Sequence, residues 1–447
     1  MTLIRRQTDP PFHTLDCYSV VSLKSIMQPR VLLLISCVQV LFLSVKLEAN
    51  PEETIVSLNK RLLRFTGPGF PANPSIYIAL RLSTEHNLHD ERRYLHRLKA
   101  DLRDKLSSSP GLQTNSKPST SLIALYLLAL RASCQDHFSQ HSAVRYLKEK
   151  LNAEKKHLNY HDVPLTNYYQ YSLGVLALCV YNVRLNHGVL SGLMLHDHHH
   201  HCFDTEAMLV LALRCVHESK VPSSDTWMYS NNTRTKAETA MNKLIQKIQK
   251  RQTEKGKIGN IYSTSVALQV LLAVGDRERW SKGKKRLLIE AQEGAFRSPM
   301  ALSQLLPVLY QKTYLDIRQM DCNNENDGLK QMRSEPGITE SNQQVGFVHL
   351  TVKNESAVIY KAKVPLRDQM SLLGVLKEAR NNDTNFNFET KQTLWGPFLT
   401  SVDQLRGQDI MRTYWRLMTG ENTPLKQGIQ DYLPHPGEDI LLQLSTF

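Results

Sequence analysis

From Asn50 to about residue 320, apolar residues recur at three- and four-residue spacings, the period of helices. Six segments share one design: a small polar or proline start, then a run apolar on nearly every face. They are Pro74-Ser-Ile-Tyr-Ile-Ala-Leu-Arg-Leu, Ser119-Thr-Ser-Leu-Ile-Ala-Leu-Tyr-Leu-Leu-Ala-Leu, and Thr166 through Gly174-Val-Leu-Ala-Leu-Cys179. The other three are Asp204-Thr-Glu-Ala-Met-Leu-Val-Leu-Ala-Leu, Tyr262-Ser-Thr-Ser-Val-Ala-Leu-Gln-Val-Leu-Leu, and Ser298-Pro-Met-Ala-Leu-Ser-Gln-Leu-Leu-Pro-Val-Leu. A helix that is apolar all round is buried on all sides. Between them, residues 90–106, 142–155, 235–251 and 282–293 read as amphipathic, charge-rich helices.

Buried helices alternating with exposed ones, at a spacing of about 35 to 60 residues, predict stacked helical hairpins. Closing six of them gives a mainly α fold, a six-hairpin α/α barrel (toroid) with inner and outer rings; an open solenoid is the alternative. In a closed ring the inner N-termini gather at one end. They carry Ser75, Ser119, residues 166–170, 201–205 and 260–263, and 298–304. Free backbone N–H groups beside hydroxyl and amide side chains suit a polar ligand rich in amides.

After Cys322 the pattern changes. Residues 323–344 are polar and aperiodic and read as a linker between a barrel domain, 50–322, and a C-terminal domain, 345–447. There Val348, Leu350 and Val352 alternate with polar residues, and 357–364 is a second run of strand type. A short helix at 371–380 and strands at 385–390, 413–419 and 439–446 complete a smaller, β-rich α+β domain. A cleft between the domains is the default binding site.

Residues 27–49 read as a secretory signal within a leader of 1–49. Met27-Gln-Pro-Arg30 is a short basic start, 31–45 is apolar, and small or polar residues follow to Ala49. As a membrane anchor the run is shorter than the usual span of about 20 residues. The expected product is a secreted, extracellular monomer with no membrane insertion. Of seven cysteines, Cys17 and Cys37 leave with the leader; the remaining five allow at most two disulfides. Sequons at Asn231, Asn354 and Asn382 fit secretion.

A net charge of +13 raises nucleic-acid binding, but much of the excess sits on outward helix faces. Examples are Lys243, Lys247, Lys250 and Arg251, then Lys282, Lys284, Lys285 and Arg286. No nucleic-acid motif accompanies them, so no nucleic-acid partner is expected. Enzyme motifs are missing too: there is no phosphate loop, no Gly-x-Ser-x-Gly and no His-Glu-x-x-His. A toroid glycosidase needs paired inward acids, and Asp204 stands without a partner at an inner-helix start that Asp204 or Thr205 is expected to open. The sharpest chemical feature is Leu195-His-Asp-His-His-His-His-Cys-Phe-Asp-Thr205, with five histidines in six positions. Imidazole is a common transition-metal ligand, although a His-rich loop is as often simply solvated.

The chain resembles the cobalamin (vitamin B12) carriers, the family of transcobalamin, intrinsic factor and haptocorrin. The matching words include Asn73-Pro-Ser-Ile-Tyr-Ile-Ala-Leu-Arg-Leu-Ser83, Ala124-Leu-Tyr-Leu-Leu-Ala-Leu-Arg-Ala132, and Tyr168-Tyr-Gln-Tyr-Ser-Leu-Gly-Val-Leu-Ala-Leu-Cys179. Asp204-Thr-Glu-Ala-Met, Gly259-Asn-Ile-Tyr-Ser-Thr264, Ser303-Gln-Leu-Leu-Pro-Val-Leu309, Gly396-Pro-Phe-Leu-Thr-Ser-Val402 and Asn422-Thr-Pro-Leu extend the resemblance to the C-terminus. It implies cobalamin held between an α/α barrel and a β-rich domain, and delivery through a cell-surface uptake receptor. By position it places ligand contacts at Thr166, Asn167, Tyr168, Tyr169, Gln170, Asp204, Asn260, Ser263 and Gln304, with Trp415, Arg416 and Leu417 covering the other face. Structural roles stand beside these: a helix cap for Thr166 or Asp204, a core aromatic for Trp415. Departing readings are a haptocorrin-type corrinoid binder and a toroid enzyme acting on sugars or lipids.

Three departures from the family are visible. Leu122 stands where the family often has glutamine, which removes one amide contact. No cysteine lies between Asn50 and Cys134 or between Cys215 and Cys322, so one bridge is lost whole. The resemblance pairs Cys134 with Cys322 and Cys179 with Cys215, leaving Cys202 odd where the family usually has a small residue. The resemblance also gives the histidine run a role. In transcobalamin-like members a histidine just before the Asp-Thr helix coordinates cobalt; by position it is His201, with His200 the neighbour able to substitute.

Overall fold

Among the described residues, twelve helices pair into six hairpins, an outer helix followed each time by an inner one. They are α1 (Pro51–Arg64) with α2 (Pro74–Arg81), α3 (Leu88–Ser107) with α4 (Thr120–Ala132), and α5 (His141–His161) with α6 (Tyr168–Val180). Then follow α7 (His187–Met194) with α8 (Phe203–His217), α9 (Asn231–Lys250) with α10 (Ile261–Ala273), and α11 (Arg277–Gln292) with α12 (Pro299–Leu309). The structure is a computed structural model that describes residues 50–68, 70–107, 118–134, 141–194, 202–330, 344–368, 370–393, 396–407, 413–420, 423–425 and 427–446.

Each inner helix packs on the next, and α12 packs back on α2. The ring is therefore closed, and the open-solenoid alternative falls. Closure buries the inner helices all round: every residue of α2 and all but one of α12 is buried. Outer helices bury one stripe, as in α9, where Ala237, Met241, Leu244 and Ile248 recur at helical spacing. Two outer helices, α1 and α7, lie outside the four charge-rich segments singled out from sequence. The second of them, His187-Gly-Val-Leu-Ser-Gly-Leu-Met, carries no acid, lysine or arginine to mark an outer face.

A 3-10 helix, Tyr314–Gln319, crosses the ends of α4, α6 and α8 at the ring's C-terminal side, opened by a capping box of Thr313 and Asp316. Its Arg318 donates to the Cys179 carbonyl at 2.9 Å and the Ser219 hydroxyl at 2.8 Å. Disulfides Cys179–Cys215 and Cys134–Cys322 staple the same end, the two pairs that the resemblance implied. The polar stretch after Cys322 is not free chain where it is described. His86 N–H donates to the Asn326 carbonyl at 2.8 Å, Leu88 N–H to Asp327 at 2.8 Å, and Leu329 is buried.

The C-terminal part holds a five-stranded sheet in the order β2-β1-β8-β6-β7 and a three-stranded sheet β3-β4-β5. The strands are β1 (Gln344–Asn354), β2 (Ala357–Arg367), β3 (Phe388–Thr393), β4 (Gly396–Val402), β5 (Leu405–Arg406), β6 (Thr413–Thr419), β7 (Thr423–Pro424) and β8 (Asp439–Thr446). β1 and β8 run parallel, the remaining pairs antiparallel. Val348, Leu350 and Val352 point into one core with Leu372, Val375 and Leu376 of α13 (Leu372–Asn382), as the alternation predicts. Among the described residues no helix is long and apolar enough to cross a membrane.

Candidate functional site

All six inner N-termini face the same way, and five are capped by a side chain. Asn73, Ser119, Asn167, Asn260 and Ser298 accept from the backbone N–H of Ser75, Leu122, Gln170, Ser263 and Ala301. The exception is α8, whose N-cap is Cys202 and has no side-chain capping bond. This corrects the expected start: Phe203, not Asp204 or Thr205, opens the helix, and Asp204 lies in its first turn.

Around that turn the chain is tightly specified. Gly259 has φ +64°, and a Cβ there would stand 2.7 Å from the Phe203 ring, so glycine alone serves the turn before Asn260. Phe203 lies under the Arg251 guanidinium, 4.7 Å from ring centroid to Cζ. Arg251 in turn pairs with the wholly buried Glu206 at 3.0 Å, and Lys247 joins it at 3.2 Å. Two cations that read from sequence as outward basic charge are thus the counter-ions of an inner-helix acid.

The expected contact residues fall on this rim. The Ser263 hydroxyl neighbours Asp204, whose Oδ1 is buried with no partner among the described residues. Burial pushes the Asp204 carboxyl above the usual range, and the Ser263 hydroxyl pulls it part way back. Tyr169 stands close enough that Asp204 and Cys202 add to the rise of its phenol, which burial causes first and Tyr314 next. Gln170 accepts from Ser121 at 2.8 Å, and Thr166 donates to Glu154 at 2.8 Å. Asn167 and Asn260 are exposed, Tyr168 is buried, and Gln304 is 6% exposed with its Oε1 unpartnered among the described residues. Two acceptors of the expected set are therefore buried and unsatisfied, a cost seldom carried without function.

Beside this rim, between the starts of α2 and α12 and the C-terminal sheets, lies a cleft of about 1090 Å³. Asn73 and Met300 line it from the barrel; Arg380, Phe388, Phe398 and Tyr414 line it from the other wall. Trp415 is 3% exposed and sits in the C-terminal core, while Arg416 and Leu417 are half-buried; Thr413 and Tyr414 of the same strand make the cleft wall. Tyr262 of α10 donates to Asp431 at 3.1 Å, a clasp across the two parts that the sequence reading did not include. Nor did it include Ser121, whose place one residue into the second inner helix was the available signal. His200 and His201 lie outside the described residues. Among the described residues, no three His, Cys, Asp or Glu side chains gather to hold a metal.

Comparison with known proteins bears on this geometry. A family model described as eukaryotic cobalamin-binding protein matches residues 29–343. Transcobalamin-2 of Rattus norvegicus is 39% identical over 391 residues, covering 83% of this chain and 88% of that protein. Transcobalamin-2 of Homo sapiens is 36% identical over 401 residues, covering 84% and 88%. The cobalamin binding intrinsic factor of Canis lupus familiaris is 28% identical over 394 residues, with the same coverage. The crystal structure of haptocorrin in complex with Cbi superposes with a TM-score of 0.68 at 25% identity, covering 88% of this chain and 97% of that one.

Proposed function

The chain belongs to the family of eukaryotic cobalamin-binding proteins, and we propose that it is a secreted carrier that holds cobalamin between barrel and β-rich part. The family is one of binding and transport. The observation that carries the reading is the pair of buried, unpartnered acceptors, Asp204 Oδ1 and Gln304 Oε1, on a rim of capped helix starts. Corrin side-chain amides supply N–H donors in number, and an unpaired buried acceptor gains most from one. The carrier contacts are Thr166 to Gln170, Asp204, Asn260, Ser263 and Gln304 on the barrel, with Trp415, Arg416 and Leu417 opposite. His201 takes the exchangeable position on cobalt, which is cargo here, and His200 is its neighbour.

Secretion is supported by the two disulfides and by the leader at 1–49, with its signal at 27–49. The proposed division is a barrel at 50–322, a connecting stretch at 323–344 and a β-rich domain at 345–447. Uptake by a cell-surface receptor uses the outer basic helices. Because Lys247 is tied to Glu206, the exposed Lys243 and Lys250 are the residues to reverse. Uptake unchanged in the Lys243→Glu, Lys250→Glu protein removes that face.

The direct test is the visible spectrum of secreted protein exposed to cobalamin and freed of excess. One corrinoid per chain is expected, and a colourless protein overturns the carrier reading. His201→Ala is expected to keep the corrinoid, because the amide contacts remain, and to change its absorption spectrum. An unchanged spectrum removes His201 from cobalt.

A further inference from the structure

Glu154 stands out as a buried carboxylate that faces no cation. It lies on outer helix α5, is 1% exposed, and makes no ion pair among the described residues. Three donors from two inner-helix starts converge on it. The Thr120 hydroxyl reaches Oε1 at 2.9 Å, the Thr166 hydroxyl reaches Oε1 at 2.8 Å, and the Thr166 N–H reaches Oε2 at 2.9 Å. An ionised carboxylate only accepts, whereas a hydroxyl has one proton to give. Thr166 is itself exposed at the rim, so the proton is spent inward and the lone pairs face outward.

We propose that Glu154 is a positioning residue that fixes the polarity of Thr166, making it an acceptor that selects an amide N–H of the ligand over a carboxylate. The proposal rests on the carrier reading above. Glu154 touches no ligand; it acts through the hydroxyl it holds. A glutamine at 154 keeps the shape but carries a donor, which lets the Thr166 proton turn outward and meet a carboxylate.

The probes are cobalamin and its monocarboxylic acids, each with one side-chain amide hydrolysed. Dissociation rates from the full-length wild type, Glu154→Gln, Thr166→Val and the double variant are compared. In the wild type, the acid at the position facing Thr166 is expected to leave about tenfold faster than cobalamin. Glu154→Gln is expected to narrow that ratio severalfold, Thr166→Ser to keep it, and Glu154→Gln to change nothing further once Thr166 is valine. A Glu154→Gln protein with a lowered melting temperature but the wild-type ratio overturns the proposal, since a purely structural acid would behave so. Should that variant fail to fold, Thr166→Val decides alone: a ratio that survives loss of the hydroxyl overturns it equally. Wild-type protein that takes up no cobalamin refutes the carrier reading instead, and that result appears before any ratio is measured.

Discussion

The clasp between Tyr262 and Asp431 lends itself to a quantitative test of how the ligand is retained. Asp431 is 7% exposed and lies in the loop that α13 anchors, with Leu373 N–H donating to the Ile429 carbonyl at 2.7 Å and Leu372 N–H to the Tyr432 carbonyl at 2.8 Å. It receives the Tyr262 hydroxyl at 3.1 Å, and Ser298, the N-cap of α12, stands near enough to draw its carboxyl part way down. One acid thus joins the C-terminal part to the start of α10. Tyr262→Phe keeps the ring and removes one donor. A hydrogen bond to a charged group is worth about 1.5–3 kcal/mol net. The length of this one places it at the low end, about 1.5 kcal/mol, or about tenfold in an equilibrium. If release requires the two parts to separate, cobalamin dissociation, followed by transfer to an excess of a second binder, should be about tenfold faster at an unchanged association rate. Release unchanged within a factor of about two would refute the clasp as the retaining contact.

Burial raises the carboxyls of both Asp204 and Asp431 above the usual range. A raised acid favours the folded state below its unfolded pKa, and that contribution is lost as pH rises through the folded pKa. Asp204→Asn should therefore melt higher than wild type at pH 7, with the gap closing toward acid pH, while binding cobalamin more weakly; equal melting curves at both pH values would contradict it. Replacing Cys179 and Cys215 by alanine opens a loop of sequence separation 36 and should cost about 4 kcal/mol by the chain-entropy estimate, read from denaturant unfolding. Gly283→Ala sets a methyl against Leu268 where α11 meets α10 and should cost about 1–3 kcal/mol in the same assay.

How much of this was legible in the sequence depends on the range of the forces involved. The inner helices were readable because burial on every side leaves a local mark, an apolar run such as Val175 to Cys179 with no polar face. Ring closure was expected from the six hairpins and from the resemblance, but periodicity alone left an open solenoid standing, because α12 meeting α2 is a contact between distant segments. Glu154 sits in the run Glu-Lys-Leu-Asn-Ala-Glu-Lys-Lys, which looks like any solvated face, yet its neighbours Leu151 and Leu158 place it on the buried stripe. Lys247 and Arg251 were misread for the same reason: charge pattern records which residues are ionised, not which of them answer a buried acid across a helix pair. The barrel positions among those carried over cluster on one rim because helix starts repeat, and that repetition was visible residue by residue. Strand β4 reads as Gly-Pro-Phe-Leu-Thr-Ser-Val, without clean alternation, and only pairing with β3 gives it a place.

The irregular start of α8 shows where stability was set aside. Five of six inner helices begin with an oxygen that caps a first-turn N–H, and the sixth begins with Cys202, whose sulfur lies 3.3 Å from the Thr205 hydroxyl instead. Sulfur is a weak acceptor, so this helix lacks the side-chain cap of the other five, and the Thr205 N–H turns to the Cys202 carbonyl at 3.1 Å. The weakly capped start stands beside Asp204, one of two acids among the described residues with a buried unpaired oxygen, and directly after the histidine run. Local rules broken together at one place mark function more often than accident. Cys202→Ser puts back a hydroxyl of capping geometry and should stabilise the unliganded chain by about 1 kcal/mol, or about 2 °C in melting temperature for a chain of this size. Scanning calorimetry without ligand measures it directly. A melting temperature that does not rise would mean that the Cys202 carbonyl already serves the first turn, and that the cysteine costs the fold nothing.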